Sequence, residues 1–329
     1  MELTIEAATD LSHRVLTRYG MPPAYAAMVA EHLVDAALSG HEFSSLARLP
    51  TLAKLLKDRP PAGDIKVVHE TVNSALIDGG GNLAYATSVI AIDKAIDICR
   101  KTGIAVVSVN NTWFSGRLAY YVERAARAGF VAMHAIQGAA RTAPFGGMEP
   151  LFGTCPVAFA FPSEGEPVLI DMSMAAATHG GTNLAKAKGE TLPQGLALDN
   201  KGYPTVDPDA ALNGAFLTWG AHRGSGMALA VHLLGMLAGT APVIKSDSDF
   251  GLFFLVIDPE LVMPGGQYRP RVSELKAAFK ASRPAPGVES VRLPGEKSQA
   301  NRRHAADAGA KARVQVDDKI YVRILALLD

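Results

Sequence analysis

The sequence predicts an α/β fold on three observations. Short apolar runs rich in valine and phenylalanine alternate with longer segments of helical spacing. Glycine and proline clusters punctuate them, as at Asp78-Gly79-Gly80-Gly81-Asn82 and Ala143-Pro144-Phe145-Gly146-Gly147. At 329 residues, 48% of them hydrophobic, the chain is long enough for two domains, or one large one, with a real core.

The elements follow in order. Residues 4–39 carry two helices. Leu11, Val15, Leu16 and Tyr19 form one apolar stripe; Ala26, Val29, Ala30, Leu33, Val34 and Ala37 form the second. Gly20-Met21-Pro22-Pro23 separates them, and proline suits a helix start. Residues 46–57 read as a third helix stopped by Pro60-Pro61, and residues 65–77 as one alternating strand. A helix over 84–101, a strand over 103–109, a helix over 118–128 and a strand over 130–136 come next. An apolar strand then delivers Asp171 and Ser173 at its end, where α/β sheets bind ligands. An apolar helix over 224–237, a buried strand over 251–258 and an amphipathic helix over 272–282 follow. Pro294-Gly295-Glu296 opens the last helix, and no internal repeat is visible.

Composition excludes several classes of function. Lys+Arg and Asp+Glu both number 32, so no global field draws nucleic acid or an anionic membrane. Cys99 and Cys155 are the only cysteines, which argues against a disulfide scaffold and for a reduced, cytoplasmic protein. The acidic, polar start Met1-Glu2-Leu3-Thr4 does not read as a signal peptide, and no apolar run reaches transmembrane length. The usual Gly-x-Gly-x-x-Gly fingerprint is missing, as are a P-loop, His-Glu-x-x-His and zinc spacing of cysteines.

A set of short motifs runs along nearly the whole chain. They are Arg48-Leu49-Pro50; Gly116 with Tyr120-Tyr121; Ala143 to Gly147 with Pro150-Leu151 and Gly153-Thr154; and Asp171-Met172-Ser173. Leu196 to Asp199, His222-Arg223-Gly224, Phe253-Phe254 with Asp258-Pro259, and Pro294-Gly295-Glu296 complete it. In order and spacing the chain resembles the malate/L-lactate dehydrogenase family of the non-Rossmann type. That group includes sulfolactate, ureidoglycolate and diketogulonate dehydrogenases and the piperideine/pyrroline-2-carboxylate reductases.

The resemblance implies a non-Rossmann, sulfolactate/malate dehydrogenase-like fold. A central mixed-sheet cofactor domain would span 73–269, and a largely helical, substrate-side domain would be built from both termini, 1–72 and 270–329. It implies an oxidoreductase using NAD or NADP on a 2-oxo, 2-hydroxy or 2-imino acid. It also implies a homodimer whose active site lies between two domains.

Each site residue has a functional and a structural reading. The fork of Arg48 matches a carboxylate, and the resemblance places it at the substrate acid, with Phe114 and Met148 on the same side; a solvated surface arginine is the alternative. Asp171, Met172 and Ser173 match a cofactor segment, and Asp or Ser there would equally cap a helix. Gly180 with Gly181 lets backbone approach a ribose or phosphate, or simply turns the chain. His222, Arg223 and Gly224 stand where the family has His-Lys-Gly, at a helix start that suits a phosphate. Gly295 and Glu296 match a further cofactor contact, although Glu296 also suits a first helical turn.

The chain departs from its family where the chemistry is done. The family's Ser-His-Gly is Phe43-Ser44-Ser45 here, and a second family histidine falls on Phe114. Hydride reduction of a ketone makes an alkoxide that needs a general acid. Ser44 can donate a hydrogen bond to it but is a poor acid. His41, three residues before Ser44, shares its face if the helix is continuous, and His179 is the other candidate acid. His134 reads as a core or strand-end histidine. A protonated cyclic imine needs no such acid, so the loss of both histidines shifts weight toward an imino-acid reductase. The expectation is an NAD(P)H-dependent reductase of a small 2-oxo or cyclic 2-imino acid. The alternative is a catalytically altered or retired homologue that keeps its ligand.

Overall fold

A computed structural model gives the structure of residues 1–329, the side chain of Ala187 excepted. The chain opens with β1 (Glu2–Thr4), α1 (Ile5–Arg18) and α2 (Pro23–Leu38). Thr4 accepts the Ala7 N–H at 3.0 Å and starts α1, and proline starts α2. Two single 3₁₀ turns, Glu42–Ser44 and Leu46–Arg48, lead into α3 (Leu49–Asp58). Then come β2 (Lys66–Glu70), β3 (Ser74–Asp78), α4 (Ala84–Thr102), β4 (Ile104–Asn110), α5 (Ala119–Arg127) and β5 (Val131–Gln137). A hairpin of β6 (Val157–Ser163) and β7 (Gly165–Met172) precedes α6 (His179–Lys188). β8 (Ala197–Leu198), β9 (Pro204–Thr205), α7 (Pro208–Asn213) and β10 (Ala215–Phe216) form a small lobe. The chain ends with α8 (His222–Met236), β11 (Gly251–Ile257), α9 (Tyr268–Ala281), α10 (Glu296–Ala308), β12 (Arg313–Gln315) and α11 (Asp318–Leu325).

Seven strands make one mixed sheet in the order β2-β3-β4-β11-β5-β6-β7. Only β3 and β4 pair in parallel, joined by the crossover helix α4; the other neighbours are antiparallel. Helices cover both faces. α4 and α5 pack on the face that carries Leu252, Phe254 and Val256, and α8 packs on the face that carries Phe253, Ala135 and Val157. A second core gathers α1, α2 and α3 with Val314 and Ile324 from the chain's other end, and Tyr85 and Trp113 reach into it. The first and last strands, β1 and β12, pair with each other. The α/β class, the mixed sheet and the helical layer from both termini are therefore present.

A chain of ion pairs fastens the two cores. Asp35 on α2 binds Arg117 and Arg302, Glu123 on α5 binds Arg302 and Arg127, and Glu166 on β7 binds Arg127. Glu123 keeps only 4% of its side chain exposed, so shared pairing is what makes its burial tolerable.

Three sequence expectations are corrected. The alternation over 65–77 is a hairpin, not one strand: the Thr71 N–H bonds the Ser74 carbonyl at 2.9 Å and reverses the chain. The helix opened by Glu296 is not the last, because Asp317 caps α11 after it. Residues 41–48 are not a continuous helix, because Ser45 is extended at φ −92°, ψ −151° between the two 3₁₀ turns.

Candidate active site

The break at Ser45 shapes the site. It frees Phe43 to fold back under Arg48, whose guanidinium carbon lies 3.9 Å from the Phe43 ring centre and 5.0 Å from that of Phe114. Phe114 holds this place at φ +60°, a left-handed conformation that costs a bulky L-residue about 1–3 kcal/mol. Its neighbour supplies the restraint. The Ala84 N–H bonds the Trp113 carbonyl at 2.8 Å, and Trp113 Nε1–H bonds the Gly81 carbonyl at 3.0 Å.

Arg48 has no acid partner. Among the described residues its side chain makes no ion pair and no hydrogen bond, and its Nε is buried without an acceptor. Arg117 and Arg302, by contrast, both pair with Asp35. Burial lowers the Arg48 pKa, with the nearby Tyr85 phenol opposing, yet a guanidinium stays charged in proteins. A partly buried, uncompensated cation held by ring faces attracts an anion.

Gly180 is brought to the same place. A Cβ there would lie 1.8 Å from Phe43 Cζ, so only glycine lets α6 sit against the ring. His179 begins α6 beside it; burial lowers its pKa, as do Arg141 and Arg48, against Asp247. Ser44 carries no protein hydrogen bond on its hydroxyl among the described residues, and its backbone N–H bonds the His41 carbonyl at 2.9 Å. His41 faces elsewhere: its Nε2 meets Ser298 Oγ on α10 at 3.0 Å. Without a continuous helix the shared face expected for His41 and Ser44 does not exist. Burial lowers the His41 pKa, joined by Arg117 and Arg302 and opposed by Asp35. Both imidazoles keep an exposed edge, so solvent tempers these shifts.

The remaining residues are spread over other parts of the fold. Asp171, at the end of β7, accepts the Ala119 N–H at 2.9 Å and so caps α5. Burial raises its pKa, against the Ala119 N–H, Arg117 and the Leu118 N–H. Met172 is 36% exposed beside it. Ser173 turns the chain, donating to the Thr154 carbonyl and accepting the Ala175 N–H, both at 3.1 Å. The Trp219 N–H bonds the Met174 carbonyl at 3.1 Å and joins this segment to the start of α8.

His222, Arg223 and Gly224 occupy that start. Ala221 precedes them at φ 54°, ψ −124°, and no side chain caps the helix. Gly224 is needed for packing, since a Cβ would lie 1.9 Å from the Trp219 carbonyl oxygen. Phe145 stands edge-on to His222 at 6.0 Å, and its N–H bonds Ser225 Oγ. Here lies a cavity of 800 Å³ lined by Gly146, Gly147, Met148, Lys201 and Trp219. Met148 thus sits in this cavity, against Gly202, rather than among the residues packed on Arg48. Gly295, at φ +76°, borders a separate recess of 680 Å³ with Arg292 and Lys297. Glu296 is engaged by its own turn, pairing with Lys280 and accepting the Leu293 N–H at 3.0 Å. Among the described residues no group of three or more His, Cys, Asp or Glu is placed to hold a metal.

Tyr85, Trp219 and the Phe43–Gly180 contact are absent from the sequence reading. No motif or spacing marks Tyr85, and the ring–glycine contact joins residues 137 positions apart, 180 minus 43.

Comparison with known proteins gives the family of the chain. The family model described as malate/L-lactate dehydrogenase matches residues 3–324. A (2R)-3-sulfolactate dehydrogenase (NADP(+)) of Chromohalobacter salexigens is 32% identical over 96% of this chain and 96% of its own length. A ureidoglycolate dehydrogenase (NAD(+)) of Escherichia coli is 28% identical over 99% of this chain and 95% of its own. The solved sulfolactate dehydrogenase of Methanocaldococcus jannaschii superposes with a TM-score of 0.86 at 30% identity, covering 99% of this chain and 96% of that one. The Δ1-piperideine-2-carboxylate reductase of Pseudomonas syringae gives 0.88 at 26% identity, covering 99% of each. A family match over nearly the whole chain and a fold shared across its length have one reading: the chain belongs to the malate/L-lactate dehydrogenase family.

Proposed function

We propose that the chain is an NAD(P)H-dependent reductase that places hydride on C2 of a small 2-oxo or cyclic 2-imino carboxylate. The observation that carries this is Arg48, a cation without an acid partner, seated between Phe43 and Phe114. A substrate carboxylate is the missing counter-ion. The rings cover the guanidinium faces and leave its edge for the two oxygens.

The chain's other residues fit a dinucleotide. The uncapped first turn of α8, with His222 and Arg223 exposed, suits a phosphate, and the 800 Å³ cavity beside it is of ligand size. Asp171, Met172, Ser173, Gly180, His222 to Gly224, Gly295 and Glu296 would hold the cofactor; Asp171 and Glu296 would do so while keeping their structural bonds. The nicotinamide, when bound, supplies the hydride. Lys186 pairs with Asp209, which leaves Arg223 as the cation nearest the α8 start for a 2′-phosphate.

The proton is the discriminating step. His41 and His179 both have lowered pKa values, so at neutral pH each is a neutral imidazole and a weak acid. Ser44 is left to donate a hydrogen bond. A protonated imine brings its own proton and gives a neutral amine without further transfer, which favours the cyclic imino acid within the proposed class.

Three further readings accompany this one. The ends 1–72 and 270–329 form the substrate side and 73–269 the cofactor side, supported by the separate cores of the central sheet and of the terminal helices. A homodimer is supported by the outer face of α8, where Leu229, Leu233 and Leu237 are 48%, 53% and 62% exposed. Buried, unpaired Cys99 and Cys155 suit a reducing cytoplasm.

The test is oxidation of NADH and NADPH by purified protein with a panel of 2-oxo and cyclic 2-imino acids. Arg48→Gln should raise KM for the carboxylate by a factor of about 10–100 and leave cofactor binding intact. No turnover with any panel member, together with retained cofactor binding, would instead favour a ligand-binding homologue.

A further inference from the structure

A second buried donor stands in the core on which Phe114 packs. The Tyr85 hydroxyl has no hydrogen-bond partner, and neither does the Arg48 Nε–H. Tyr85 stands in the first turn of α4 and is fully buried. His32 holds it edge-on at 4.9 Å, and Gly116 presses so closely that a Cβ would lie 2.4 Å from Tyr85 Cε1. The phenol is thus fixed in direction while its hydroxyl is left unmet.

Leu46 and Leu49, on either side of Arg48 in the chain, lie in the same core as Tyr85. Burial raises the Tyr85 pKa, with the Arg48 charge opposing, so the phenol is neutral and keeps its proton at physiological pH. They make no hydrogen bond to each other, and a guanidinium cannot accept one. Both groups are buried and unpartnered, and such groups in a folded protein call for a reason. Phenylalanine would fill the same space without the unmet hydroxyl. What meets both is an acceptor with two oxygens.

We propose that Tyr85 is the second anchor of the substrate carboxylate: its O–H holds one oxygen while the Arg48 guanidinium holds the other. The proposal rests on the reading of Arg48 as the carboxylate clamp. Tyr85 is closed to solvent as it stands, so the contact forms when Arg48 moves toward its ligand. Ring faces alone hold the guanidinium, and attraction to a π-face lets it slide without breaking a hydrogen bond. The pair selects a carboxylate over the corresponding amide or ester, which presents one acceptor fewer.

The test compares wild type, Tyr85→Phe and Arg48→Lys. Oxamate and picolinate, two planar carboxylates that resist reduction, serve as probes against the NADH-loaded protein, with binding read by calorimetry. Tyr85→Phe should weaken both probes by about tenfold or more, as loss of a hydrogen bond to a charged group does. NADH affinity should stay unchanged, and the unfolding midpoint of the ligand-free protein should hold or rise because an unmet donor is gone. A purely structural tyrosine would show the opposite: a lower midpoint with unchanged probe affinity. If Arg48→Lys weakens the probes and Tyr85→Phe does not, this inference falls and the Arg48 clamp stands. If wild type binds neither probe, both fall.

Discussion

Acid should destabilise this fold through two buried histidines. His134 and His32 are both fully buried, with pKa values pushed down to about 3. Burial is the main cause in each; Arg117 adds to it at His32 against Asp35, and the Phe253 carbonyl opposes it at His134. Geometry agrees. His134 Nδ1 meets the Phe253 carbonyl at 3.1 Å, so the proton sits there and Nε2 is bare, with no acceptor nearby for a second proton. His32 Nε2 accepts the Arg117 N–H at 3.0 Å, so protonating it would break that bond. Between the unfolded pKa near 6.5 and the folded value near 3, the unfolded chain binds two protons that the folded chain refuses. Stability is therefore whole above pH 6.5 and falls as pH drops below it, by about 1.4 kcal/mol per unit for each histidine. Two such groups lose on the order of 2.7 kcal/mol per unit, against a typical total of about 5–15 kcal/mol. The assay is urea unfolding from pH 8 to pH 5 in wild type and His134→Phe, which keeps the ring stacked on Phe254. Carboxylates contribute equally to both slopes, so the difference isolates the histidine. The variant's slope should be smaller by about 1.4 kcal/mol per unit. Parallel slopes would refute the buried-neutral assignment.

Two further outcomes follow from the site. Gly180→Ala should displace the Phe43 ring, raising KM for the carboxylate several-fold and destabilising the protein by about 1–3 kcal/mol; thermal unfolding and steady-state kinetics with Phe43→Ala and the double variant should show strong non-additivity. His179→Asn should leave the pH profile of kcat/KM unchanged above pH 6.5, because the lowered pKa already makes the imidazole neutral there; a lost basic limb would restore His179 as the acid.

Legibility in the sequence followed the range of the forces involved. Strands such as β4, β5 and β11 were visible because valine, isoleucine and phenylalanine runs announce burial on a sheet. The Thr71–Ser74 turn was hidden because threonine and serine hydroxyls made it, without a glycine or proline to signal it. Arg48 was legible through its motif, but its lack of an acid partner was not, because pairing depends on what the fold brings near. Phe114 read as a lost histidine; its left-handed backbone and its seat over Arg48 became visible only in three dimensions. Asp171 and Glu296 show the converse. Each matched a cofactor motif, and each is also bound into its own local structure.

The aromatic replacements can be weighed against the charge they face. A ring face attracts a cation and is indifferent to a neutral carbonyl. Phe43 and Phe114 already hold one cation, the Arg48 guanidinium, and a bound carboxylate would neutralise it. A protonated imine beside that carboxylate adds a second positive centre, and Phe114, at 5.0 Å, is the ring farther from Arg48. Its contribution would be about 0.5–2 kcal/mol, a factor of roughly 2 to 30 in rate. Phe114→Leu keeps an apolar side chain at the same strained position and removes the ring face. It should lower kcat/KM for a cyclic 2-imino acid by that factor while changing a 2-oxo acid of similar size much less. Equal losses for both substrates would mean that Phe114 acts by shape alone, and the imine preference would then rest only on the missing acid.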